Sequence, residues 1–166
     1  MSRKRPIQIA VLGSDVSICT EDQYKYAYEV GKEIAKHGAI ALTGGGGGVM
    51  EAALKGAKEE GGMTVGVIPE AGLDHANDYC DVGFARDEIN IASSHGVILV
   101  GGGAGTLNEA TFAYMLAKPI VSVVPSGGTA EKFAGEYLDI RKTEKIEPAN
   151  SAKEAVEKII KIIEER

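Results

Sequence analysis

The residues of this chain best suited to chemistry are two glycine clusters, Thr43-Gly44-Gly45-Gly46-Gly47-Gly48 and Gly101-Gly102-Gly103-Ala104-Gly105-Thr106, each preceded by a short apolar run and followed by a helix-like segment. Backbone without Cβ atoms can approach an anion closely. The first amides of a following helix are unpaired and point toward it, so loops of this kind suit phosphates. On that ground Gly44, Gly45 and Gly46 in the first cluster, and Gly102, Gly103, Gly105 and Thr106 in the second, are candidate phosphate- or nucleotide-binding residues. Gly13-Ser14-Asp15, after the first apolar run, is either a further wall of the same pocket or a plain turn. Glu109 lies one helical turn beyond the second cluster and is a candidate active-site carboxylate. The same Thr106-Leu107-Asn108-Glu109 segment also fits the S/T-x-x-E capping box, in which Glu109 would only bond the loop backbone.

Elements that would position these residues follow from hydrophobic periodicity. Strand-length apolar runs occur at Ile7 to Leu12, Ala39 to Leu42, Thr64 to Ile68, Val97 to Val100 and Pro119 to Val124, with Tyr79 to Val82 as a weaker candidate. Between them, Ala27, Val30, Gly31, Ile34 and Ala35 repeat at helical spacing behind the capping box Thr20-Glu21-Asp22-Gln23. Met50, Ala53, Leu54 and Ala57 mark a second helix ended by Gly61-Gly62, and Asp87 to Ser94 a third. A last helix carries the stripe Ala152, Ala155, Val156, Ile159, Ile160 and Ile163. Nearly continuous apolar strands alternating with helices predict a Rossmann-like doubly wound parallel α/β sheet with helices on both faces. Ligands of such sheets sit outside the carboxyl ends of the strands at a topological switch point, where both clusters would lie.

The helix after the second cluster has almost no polar face, since Leu107, Ala110, Phe112, Ala113, Tyr114, Met115, Leu116 and Ala117 crowd it. It needs a central position or a partner subunit, and a two-fold homodimer is the reading favoured here.

Composition bounds the function. With 166 residues and 44% hydrophobic content, residues 1–166 suit one domain. Net charge is -6 with basic and acidic residues interspersed, which argues against nucleic acid as a partner. No apolar run reaches membrane-spanning length and none reads as a signal peptide, so a cytoplasmic protein is expected. The two cysteines and three histidines show no ligand spacing, so no metal is expected, and no cofactor either. Neither cluster meets the strict G-x-G-x-x-G fingerprint, and neither carries the lysine of a Walker A loop. Dinucleotide oxidoreduction and ATP hydrolysis lose support accordingly.

Gly101 to Glu109 resembles the P-G-G-x-G-T-x-x-E signature of the LONELY GUY (LOG) family of phosphoribohydrolases. Thr43 to Met50 looks like that family's first glycine loop, Gly66-Val67-Ile68-Pro69 like its third strand end, and Arg86 stands where its essential arginine is expected. Gly101 replaces the signature proline, and the M-x-x-R-K motif reads Gly83-Phe84-Ala85-Arg86-Asp87. These departures are closer to a sister branch that also resembles molybdenum cofactor carrier proteins, non-catalytic binders of a phosphorylated pterin. The resemblance implies a small phosphorylated ligand, nucleoside monophosphate or pterin. It implies one of two functions, N-glycosidic hydrolysis releasing base and ribose 5-phosphate, or carriage without chemistry. For hydrolysis, Arg86 and Glu109 are the candidate catalytic residues. Glu109 would orient water or offset charge at the anomeric carbon, an effect typically worth about 10²- to 10⁴-fold. Arg86 would contact phosphate or base, unless it is a surface ion pair beside Asp87 and Glu88. Neither loop supplies a lysine for a pyridoxal Schiff base, so decarboxylation is excluded. Asp74, His75, Ala76 and Asn77 form a polar loop after Pro69 that could cover a ligand, a point the sequence leaves open.

Overall fold

The computed structural model describes residues 5–68 and 87–166. Alternating strands and helices run in the order β1 (Gln8–Gly13), α1 (Glu21–Lys36), β2 (Ile40–Thr43), α2 (Val49–Glu59), β3 (Thr64–Gly66), α3 (Asp87–Ser93), β4 (Gly96–Val100), α4 (Ala104–Met115), β5 (Ile120–Val123), α5 (Gly128–Lys132), β6 (Ile146–Ala149) and α6 (Ala152–Glu164). The six strands form one sheet in the order β3-β2-β1-β4-β5-β6, and every pairing is parallel. Strand order reverses direction between β1 and β4, which creates the crevice at their carboxyl ends. The weaker strand candidate Tyr79 to Val82, Arg86 and the polar loop at Asp74 to Asn77 lie outside the described residues.

Alternation along β1 divides the core into two layers. Ile9 and Val11 face α1, α2 and α6 through Ala27, Val30, Ile34, Ala53 and Val156. Ala10 and Leu12 face the other side, where Ile91 of α3, Ala110, Ala113 and Tyr114 of α4 and Ala130 of α5 cover them. Both faces of the sheet are therefore dry, the condition under which an all-parallel sheet is stable.

Local signals account for the helix starts. Thr20 caps α1 by accepting from the Gln23 amide, and Gln23 reciprocates at the Thr20 amide, completing the expected capping box. Ser151 caps α6 through the Glu154 amide. Two elements have no counterpart among the expected ones, the edge strand β6 and the short helix α5.

The far end of α4 departs from all-round burial. Ala110, Ala113 and Tyr114 are buried, but Met115 is 63% and Leu116 49% exposed in the single chain. Tyr114 donates its hydroxyl to Asp139 at 2.5 Å. Arg141 and then this hydroxyl hold the Asp139 carboxyl down to about 2.

Candidate functional site

The register of the sheet sets the site. Gly13, the last residue of β1, pairs with Val100, the last of β4, so both chains leave the sheet at one level. A Cβ at Gly13 would lie 2.2 Å from the Val100 carbonyl oxygen and 2.6 Å from Val49 Cγ1, so only glycine lets the loops meet there. Ser14 then ties three elements together. Its carbonyl accepts from the Val49 amide at the start of α2 at 3.0 Å, and its Oγ accepts from the Gly102 amide at 2.9 Å.

The second glycine loop is clamped from beneath by the β5–α5 connection. Gly101 donates its N–H to Ser126 Oγ at 2.7 Å, while the Gly101 and Gly102 carbonyls accept from Ala130 and Thr129 amides at 2.9 and 3.0 Å. Thr129 Oγ1 donates to the Gly103 carbonyl at 2.9 Å. Gly101 sits at φ 61, a conformation closed to proline, which accounts for the glycine standing where the LOG signature has proline. Gly102 sits at φ 93, and a Cβ there would lie 2.5 Å from Thr106 Oγ1.

This clamping starts α4 earlier than the capping-box reading allows, so Thr106 and Glu109 do not form the expected capping box. Gly103 is the N-cap and makes no side-chain cap bond. The first intrahelical bond runs from the Leu107 amide to the Gly103 carbonyl at 3.0 Å. Thr106 is therefore the third helical residue, and Glu109 lies well inside the helix, beyond reach of a capping role. The amides of Ala104, Gly105 and Thr106 are the ones left without an intrahelical acceptor.

Those amides border a cavity of about 360 Å³, within the size range of small-molecule sites. It gathers Gly13 and Ser14 from the end of β1 with Gly103, Gly105, Thr106 and Glu109 from α4. Glu109 follows Gly105 by four positions and Thr106 by three, which puts all three on one helix face. Asp15 joins Gly13 and Ser14 in the lining, as the pocket-wall reading of that segment expects, and three lining residues were not among the expected ones: Ile18, Met50 and Ala104. Ala104 was legible as the first residue of a helix starting directly after Gly103, whereas Ile18 carries no sequence signal.

The other expected residues stand apart from this lining. Gly102 underlies the loop, its amide spent on Ser14. Gly44 and Gly46 face the thioether of Met50, with Cβ positions 2.9 Å from its Sδ and 3.0 Å from its Cε respectively, and Met50 itself lines the cavity. Gly45 donates its amide to Thr43 Oγ1 at 3.1 Å.

Charge in the cavity is lopsided. The Ser17 hydroxyl, and after it the Ser17 amide, hold the Asp15 carboxyl below its ordinary value, so it stays ionised. With Glu109 this makes two carboxyl groups and, among the described residues, no lysine or arginine in the lining. An anion entering here would be met by backbone amides and the positive end of α4, an attraction of roughly 0.3–2 kcal/mol before direct hydrogen bonds.

Comparison with known proteins places this arrangement. The molybdenum cofactor carrier protein of Chlamydomonas reinhardtii superimposes with a TM-score of 0.83 at 35% identity, over 98% of this chain and 100% of that one. The molybdenum cofactor binding protein of the phototrophic bacterium Rippkaea orientalis does so with a TM-score of 0.81 at 32% identity, over 97% and 99%. An uncharacterized protein of Archaeoglobus fulgidus is 42% identical over 125 residues, 72% of this chain and 81% of that one. Residues 6–156, which include both glycine loops and every described lining residue of the cavity, match the SLOG cluster4 family, and the chain belongs to that family within the LOG-like superfamily.

Proposed function

We propose that this protein binds a small phosphorylated ligand, a nucleoside monophosphate or a phosphorylated pterin, in the cavity at the carboxyl ends of β1 and β4, and that it serves as a binding or carrier protein. The observation that carries the reading is the start of α4. Its first amides are left over by a loop whose other polar groups are committed to Ser14, Ser126, Thr129 and Ala130, and they border a cavity of ligand size. A rigid seat of amides is pre-organised for phosphate, with no side chain to order on binding. The molybdenum cofactor named for the Chlamydomonas and Rippkaea proteins is itself a phosphorylated pterin, which supports the same ligand class. Ile18, exposed beside the cavity, offers an apolar contact for a ring.

Calorimetric titration with matched pairs tests the reading: GMP against guanosine, and neopterin monophosphate against neopterin. The phosphorylated member should bind at least about tenfold tighter, or about 1.4 kcal/mol. Equal affinities within each pair would remove the phosphate seat. Mass spectrometry of ligand released from protein purified without added nucleotide identifies the natural occupant.

A second reading, phosphoribohydrolase activity, is favoured by one specific feature. Glu109 shares a helix face with the phosphate seat, where a carboxylate would stand beside a bound sugar. Arg86 would complete that chemistry by contacting phosphate or base. Self-association belongs to the proposal as well: a two-fold dimer through the outer end of α4 would cover Met115 and Leu116. Met115→Glu should then halve the sedimenting mass of a protein that still folds, and an unchanged dimer mass would place the interface elsewhere.

A further inference from the structure

Two buried polar side chains of the described fold have atoms without a hydrogen-bond partner, the Ser122 hydroxyl within β5 and both polar atoms of Asn90. This residue of α3 is 1% exposed, and neither its Nδ2 nor its Oδ1 has a hydrogen-bond partner among the described residues. Native interiors leave few such groups unpaired, and leucine, with the same branched four-atom side-chain skeleton, would carry no such desolvation penalty. A side chain that weakens the fold at this position calls for a use elsewhere.

Its location suggests the use. A Cβ built on Gly44 would lie 3.9 Å from Asn90 Nδ2 and 2.9 Å from Met50 Sδ. The carboxamide thus abuts the backbone where β2 enters the first glycine loop, and the missing side chain of Gly44 leaves it room. Met50 belongs to both neighbourhoods, since it also lines the cavity with Gly105, Thr106 and Glu109. Methionine is unbranched and rotates readily, so it can swing aside for a ligand and bring the two neighbourhoods into one site.

We infer that Asn90 is the residue that recognises the heterocycle of the ligand whose phosphate sits on the α4 N-terminus. This rests on the phosphorylated-ligand reading above. A carboxamide offers one donor and one acceptor side by side, which pair with a ring edge carrying an acceptor next to a donor. The ring carbonyl and adjacent N–H common to guanine and the pterins present that edge. Nδ2 donates to the carbonyl, and Oδ1 accepts from the N–H. The buried, unpartnered amide is the recognition element, and the same hydrogen bonds remove its desolvation penalty on binding.

The test compares the parent with Asn90→Leu, using GMP, neopterin monophosphate and, as a probe without a heterocycle, ribose 5-phosphate. The variant should melt about 2 °C or more above the parent, because an unpaired buried amide has been removed. Its affinity for GMP or neopterin monophosphate should fall about 10- to 100-fold, toward that for ribose 5-phosphate, while ribose 5-phosphate binding stays unchanged. Heterocycle affinity unchanged in the variant overturns the inference, and so does an equal loss for ribose 5-phosphate. If Asn90→Leu does not fold, NMR of the parent decides. The Asn90 side-chain N–H resonances should shift with GMP or neopterin monophosphate but not with ribose 5-phosphate, and no such selective shift overturns the inference. A parent that binds ribose 5-phosphate no more weakly than either heterocyclic probe refutes heterocycle recognition alone. A parent that binds none of the three refutes the phosphate seat along with it.

Discussion

The two glycine loops look alike in sequence and do different things in the fold. In the first, the chain's own side chains fill the space that glycine opens: Met50 lies over Gly44 and Gly46, and Val16 over Gly47, whose Cβ would be 3.2 Å from Val16 Cβ. In the second, the loop is pinned from below at Gly101 and Gly102, yet a Cβ on Gly105 would meet nothing within 4 Å. A glycine whose missing side chain is already replaced by a neighbour serves packing. One that faces open cavity at the start of a helix leaves room for a ligand.

Substitutions can break or sharpen that contrast. The largest effect is expected at Gly102→Val, where a positive φ and the Thr106 side chain both forbid a Cβ. Backbone strain and overpacking together should cost about 2–5 kcal/mol, a fall in melting temperature of roughly 5–20 °C by calorimetry. A variant as stable as the parent would show that the clamp beneath the loop is dispensable. Glu109→Gln comes next. Its helix-interior position predicts an unchanged melting temperature. The hydrolase reading further predicts base release from a nucleoside monophosphate slowed about 10²-fold or more, equal to at least roughly 2.7 kcal/mol. Equal turnover by parent and variant would make Glu109 a bystander, and a parent that releases no base leaves the carrier reading in possession of the site.

Gly105→Ala should separate function from fold within one residue. A methyl group there enters open cavity, and the helix gains up to about 0.5–1 kcal/mol of stability. Affinity for ribose 5-phosphate should fall about tenfold in titration, roughly 1.4 kcal/mol. The smallest effect belongs to Gly44→Ala, where the flexible Met50 sulfur can yield. It should cost under about 1 kcal/mol and leave ribose 5-phosphate binding within about threefold of the parent. Phosphate affinity lost at Gly44 and kept at Gly105 would reverse the roles assigned to the two loops.

Much of this architecture was legible in the chain. Buried parallel strands write themselves as short apolar runs, so β1, β2, β4 and β5 stood out within a residue or two of their ends. β6 did not, because Ile146-Glu147-Pro148-Ala149 lies at a sheet edge where one side needs no apolar cover and proline is tolerated. The candidate site was partly legible for a similar reason. Glycine spacing pointed to Gly103, Gly105 and Thr106, but the clamp from Ser126, Thr129 and Ala130 joins segments more than twenty positions apart. That clamp decides where α4 begins, and hence that Thr106 and Glu109 are not a cap. Asn90 was invisible for the opposite reason, since nothing about an asparagine in a helical stretch reveals that its amide will be buried without a partner.

The outer rim of β6 has a bearing on how copies of this chain can meet. Ile146 has both backbone groups engaged, its N–H with the Glu136 carbonyl at 2.9 Å and its carbonyl with the Gly135 amide at 2.7 Å. Pro148 has no N–H to offer, and its carbonyl is taken by Lys158 Nζ. No row of open donors and acceptors is left on that side to template a further strand. The sheet cannot grow there into a continuous ribbon shared between molecules, and the growth of fibrils by strand addition at that rim is blocked by the same contacts.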